Sequence, residues 1–144
     1  MSRLPDWRQR LNAFVEHGKS RSYEPGQWDC AVGTMAGVVR AVRGEEWADE
    51  YAGQYDVLED GYALMKRLDG SASFRGFLKK RLGNRKPAAL ARTGDLIEGP
   101  RGEIGLMYSG HPLFIGTELL PDGTPLNDGW VEYDRKDLKG CWYV

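Results

Sequence analysis

The sequence predicts an α+β domain, with helices in its first half and an antiparallel sheet in its second. Apolar residues recur at helical spacing as far as Leu82, while short apolar runs broken by Gly, Pro, Asn and Asp take over after Pro87. No repeat, low-complexity run or linker separates the halves, so one core is expected to serve a single domain over residues 1–144. A fold of this length buries roughly two-thirds of the surface its unfolded chain exposes, which suffices for a core without disulfide staples.

Trp7, Leu11, Phe14 and Val15 mark the first helix, started by Pro5-Asp6 and ended at His17-Gly18. A polar stretch over 19–28, broken by Pro25-Gly26, is expected to be an ordered loop. From 30 to 43, Val32, Met35, Ala36, Val38, Val39 and Val42 cover so much of the surface that this helix must be central. Asp29 is placed to cap its first turn and Gly44 to stop it. Further helices are expected around 46–51, 60–68 and 73–82, then strands over 94–97, 103–108, 112–117, 129–133 and 141–144.

Composition narrows the functional classes. The chain is 41% apolar and 28% charged with a formal net charge of -1, so it lacks the basic excess that drives non-specific nucleic-acid binding. No run approaches the roughly eighteen apolar residues of a membrane span. The first residues pass directly into a charged amphipathic pattern, and no signal peptide is expected. Cys30 and Cys141 lie too far apart in sequence for a metal-ligand pair and are expected to be free thiols. No metal or cofactor motif is present, so none is expected to bind.

Tyr23-Glu24-Pro25-Gly26-Gln27-Trp28-Asp29-Cys30, leading into the central helix, resembles the nucleophile segment of NlpC-type papain-like cell-wall cysteine peptidases. Gly94-Asp95-Leu96-Ile97 is similar to that family's Gly-Asp-Leu-Val strand, and Glu103-Ile104-Gly105-Leu106-Met107-Tyr108 to its His-Val-Gly-Ile-Tyr strand, in the same order. The resemblance implies a papain-like fold with Cys30 in the nucleophile's place. Amides at a helix N-terminus favour a thiolate, so this placement is expected to lower the cysteine pKa.

The resemblance also implies a base and a residue to orient it, and this chain departs from both. Glu103 stands at the family's histidine position and Gly116 at the orienting position. A carboxylate there is expected to raise the cysteine pKa by like-charge repulsion and cannot replace an imidazole. His111, placed at a hairpin tip about 25 Å from Glu103 along an extended chain, is a remote candidate base. His17 ends the first helix. The expectation is a retained fold without its chemistry.

The resemblance points to small bacteriophage tail-associated domains. It implies a virion protein or tail-assembly factor, made in the host cytoplasm, with other tail proteins and peptidoglycan as partners. The competing expectation is an active peptidase that cuts peptidoglycan peptides with Cys30 as nucleophile.

Each feature also has a plainer reading. Cys30 fits inert packing, Tyr23 and Trp28 fit closure of the core, and Glu103 fits protection of a sheet edge. The basic cluster Lys79, Lys80, Arg81, Arg85 and Lys86 fits a solvated helix end, and the acidic cluster Glu45, Glu46, Asp49 and Glu50 an exposed helix. Residues 140–144 fit either a packed strand or a docking strand.

Overall fold

The computed structural model describes residues 2–116, 121–122 and 129–144. The first helix, α1, spans Trp7–Gly18 and buries Leu11 and Val15. The chain then turns at Glu24-Pro25-Gly26-Gln27, where the Gln27 amide donates to the Glu24 carbonyl at 3.0 Å. Gly26 has φ 84, and a side chain on it would fall 2.0 Å from the Tyr55 carbonyl oxygen, so only glycine fits this approach.

The central helix is not uniform. Its first six residues, Cys30–Met35, form a π-helical turn, and α2 follows over Ala36–Arg43. The Asp29 carbonyl accepts from both the Gly33 amide, at 2.9 Å, and the Thr34 amide, at 3.1 Å, which widens the first turn. α2 buries Val38, Val39 and Val42 and ends at Gly44, whose φ of 72 is left-handed.

The helix expected around 46–51 does not form. The Glu46 side chain accepts from the Ala48 amide at 3.0 Å and pairs with Arg40 at 2.7 Å, holding the backbone in a local turn. Only one helical turn follows, from the Ala48 carbonyl to the Ala52 amide, before Gly53 at φ 73 redirects the chain. α3 spans Leu58–Asp69 and α4 Phe74–Leu82, with Ser73 capping the Gly76 amide.

The strands are β1 (Leu96–Glu98), β2 (Ile104–Tyr108), β3 (His111–Ile115), β4 (Trp130–Glu132) and β5 (Gly140–Trp142). They form one antiparallel sheet in the order β4-β3-β2-β1-β5. The fold is therefore α+β, as the segregation of helical and strand patterns anticipates. Ser109 and Gly110, both at positive φ, make the tight turn between β2 and β3. Residue 117, at the end of the run expected over 112–117, lies outside the described residues.

One face of the sheet, with Leu96, Ile104, Leu106 and Trp142, packs on the helices through Leu11, Val38, Val39, Val42 and Leu78. The other face gathers Ile97, Met107, Phe114 and Cys141 under Ala91, Tyr133 and Leu138. The C-terminal segment is a packed strand. Cys141 exchanges backbone hydrogen bonds with Lys86 at 2.7 and 2.9 Å across the outer edge of β5.

Asp95, fully buried, ties the chain ends to β1. Its Oδ1 accepts from Arg3 and from the Val144 amide, each at 3.0 Å, and its Oδ2 accepts from the Arg92 amide at 2.9 Å. Among the described residues, no helix is long and apolar enough to cross a membrane.

Candidate functional site at Cys30

The site is built from the loop before the central helix, the head of that helix, the start of β2 and the segment over 44–62. Asp29 is its pivot, only 1% exposed. Its Oδ1 accepts from the Ala31 and Val32 amides at 3.0 and 2.8 Å, capping the helix as the sequence suggests. Its Oδ2 accepts from the Gly26 amide at 2.9 Å and from the Tyr55 hydroxyl at 2.5 Å.

This cap alters the chemistry expected of Cys30. The Ala31 and Val32 amides that would favour a thiolate are spent on the Asp29 carboxylate. The amides of Ile104 and of Cys30 itself still favour the anion, but burial outweighs them. Asp29 and, more weakly, Glu103 add repulsion, and the thiol is pushed up to about 11. The lowering expected from position alone is thus reversed, and Cys30 is protonated at neutral pH.

Cys30 borders a narrow apolar cleft lined by Trp47, Tyr51, Tyr55, Tyr62, Met65 and Phe77. The cleft holds a cavity of about 30 Å³, room for a water molecule rather than a peptide side chain. Tyr23 also lies near, its phenol pushed up to about 12 by burial and then by Asp29 and Cys30. Sequence reading overlooks Tyr55 and Tyr62. Their one available signal is a tyrosine-rich stretch, Tyr51, Tyr55 and Tyr62, beside no obvious core pattern.

Glu103 precedes β2 but turns from the helical layer. By strand alternation it shares a face with Gly105, whose side-chain position is filled by Phe114, and with Met107 of the second cluster. Its carboxylate accepts from the Arg101 amide at 2.8 Å and the Tyr133 hydroxyl at 3.3 Å. What meets the Cys30 sulfur from β2 is therefore a backbone amide, that of Ile104. Gly116 is buried and brings no side chain.

The histidines are engaged elsewhere. His111 pairs with Tyr108 at the far end of β2, about 13 Å from the level of Ile104, and its Nδ1 contacts Glu132. The tight hairpin thus brings it nearer than an extended chain would, but still beyond hydrogen-bonding reach. His17 packs edge-on against Trp28, ring centroids 6.1 Å apart. Trp28, 3% exposed, closes the core with Phe14 and Trp130.

The basic cluster is largely occupied within the chain. Lys80 and Arg81 pair with Asp69, Arg85 pairs with Glu98, and Lys86 stands over the Tyr143 ring. In the acidic cluster, Glu46 pairs with Arg40 and Glu45 with Arg43.

These features define a class: an α+β domain whose central helix begins at a capped, protonated cysteine facing the first residue of an antiparallel strand. The chain belongs to the family described as a domain of unknown function, DUF6950, whose model matches residues 2–144. No curated protein and no solved structure matches it.

Proposed function

We propose that the chain is a non-catalytic NlpC-type papain-like domain, used as a structural or assembly component of a bacteriophage tail with other tail proteins as its partners. The observation that carries the non-catalytic part is Cys30, held at about 11 with neither histidine beside it. General-base assistance is worth roughly 10²–10⁴ in rate, and a protonated thiol is a poor nucleophile. The tail assignment rests on the three ordered segments around Cys30, Asp95 and Ile104. The chain then works as a rigid body, with Asp29 and Tyr55 locking the loop to the helix.

Two measurements test this reading. Cys30 alkylation is followed against pH, with peptide mass spectrometry separating it from Cys141. Rapid labelling below pH 8 overturns the non-catalytic reading. In a phage carrying this gene, the chain is expected in purified tails, and Cys30→Ala is expected to leave particle yield and infectivity unchanged. Its absence from particles, with tails forming normally without it, overturns the assembly reading.

The second reading is an active cysteine peptidase acting on peptidoglycan peptides. It is favoured by the position of Cys30 at the helix head, facing the β2 amide. It requires release of peptide fragments from peptidoglycan, lost in Cys30→Ala.

A further inference from the structure

A second concavity lies away from Cys30, between the start of α4, the β1–β2 connection and the residue before β5. It is an open groove of about 420 Å³, lined by Ser73, Phe74, Arg75, Glu98, Arg101 and Lys139. The charges around it are unequal. Glu98, 2% exposed, accepts from Arg75 Nε at 2.8 Å and from Arg85 Nη1 at 2.7 Å, so one carboxylate is met by two guanidinium groups. Glu103 is met by Arg101 at 3.4 Å, and Lys139 is a further cationic residue lining the groove. Four cations against two carboxylates leave an excess of two positive charges.

The arrangement also orients donors. Glu98 holds Arg75 through Nε, which leaves both terminal nitrogens of a 55% exposed side chain for another acceptor. Ser73 Oγ accepts from the Gly76 amide and keeps its own proton to donate. Above Gly102, at φ 86, the space is open.

We infer that this groove binds a phosphoryl dianion, the terminal phosphate of a monoester, on Arg75, Arg101 and Lys139. A dianion matches the local excess of two charges, whereas a carboxylate or phosphodiester leaves one uncompensated. The volume exceeds a phosphate ion, and Phe74 and Pro100 offer apolar walls to the group that carries it. The inference is independent of the state of Cys30 and of any tail role.

The test is a titration of the full chain at pH 8 and low salt, following backbone amide NMR shifts with inorganic phosphate, phenyl phosphate, dimethyl phosphate and acetate. Saturable shifts confined to residues around 73–75, 101–102 and 139 are expected with the first two. Dimethyl phosphate and acetate are expected to bind at least about fivefold more weakly. Arg75 and Glu98 are left unchanged, because Arg75 compensates the buried Glu98 carboxylate and its loss would leave that charge underpaired. The exposed double substitution Arg101→Gln with Lys139→Gln is expected to weaken phosphate roughly tenfold while unfolding stays unchanged. Shifts scattered over other basic residues, equal binding of dimethyl phosphate, or affinity untouched by the double substitution each overturn the inference.

Discussion

The Tyr55 hydroxyl donates to Asp29 at 2.5 Å, and the same carboxylate caps the Ala31 and Val32 amides, so a loop residue and a helix cap share one buried anion. This relationship governs the site. It fixes the loop over 44–57 to the helix head, removes two amide donors from Cys30, and places a negative charge beside its sulfur. Added to burial, which is the larger cause, this keeps Cys30 as a thiol.

Asp29→Asn keeps an acceptor for the helix amides but removes the charge. Its repulsion is among the causes that raise the Cys30 pKa, after burial. The substitution is expected to lower that pKa below about 11, read as a shift in the midpoint of Cys30 alkylation against pH. Asp29→Ala, which abandons the cap and leaves the Tyr55 hydroxyl without its acceptor, is expected to cost about 2–4 kcal/mol in denaturant unfolding.

Alkaline pH is expected to destabilise the fold through its thiols. Cys30 and Cys141 are both raised to about 11 from an ordinary value of 9.0, chiefly by burial. Below pH 9 both folded and unfolded chains keep these protons and stability is unaffected. Between pH 9 and 11 the unfolded chain releases them and the folded chain does not, so stability falls with rising pH. The loss is on the order of 2 kcal/mol per thiol. Urea unfolding across this window is expected to show the decline, and Cys30→Ala to lessen it, with Cys141 and the partly buried Tyr23 phenol supplying part of the remainder; an unchanged slope in the variant removes Cys30 as a cause.

The fold was legible because its signals are local. The apolar spacing of α1, the cap and stop around the central helix, and the Gly-rich breaks between strands all act within a few residues. Two elements were not. The turn at 46–51 depends on Arg40 reaching Glu46, and the π-helical start on Asp29 accepting two amides, and neither contact has a periodicity. At the site, Cys30 and Asp29 could be placed from sequence, but Tyr55 and Tyr62 arrive from segments whose path is set by packing. The upward direction of the Cys30 shift is expected from Glu103, but its chief cause is burial, which a motif does not reveal, and Glu103 is the weakest contributor.

Asp95 is expected to matter more for folding than for chemistry. It is fully buried and holds Arg3, the Arg92 amide and the Val144 amide, so removing it strands donors from both ends of the chain. Asp95→Ala is expected to cost about 3–5 kcal/mol. Arg3→Ala, which leaves the Arg92 and Val144 amides paired with the carboxylate, is expected to cost less. Equal small losses in the two variants would mean that the carboxylate is not the common anchor.

Gly37 offers a test in which the sign decides. It lies inside α2, where replacing glycine with alanine ordinarily stabilises a helix by roughly 0.5–1 kcal/mol. Here an added Cβ would lie 2.1 Å from the Phe14 ring, which is itself held against Trp28 and Trp130 at centroid distances of 5.6 and 5.7 Å. The ring has little room to retreat, so Gly37→Ala is expected to destabilise by about 1–3 kcal/mol. Combining it with Phe14→Leu, which shortens the opposing side chain, is expected to give a total loss smaller than the sum of the single losses, because the two substitutions act on one contact. A stabilising Gly37→Ala would show that α1 and α2 do not approach this closely.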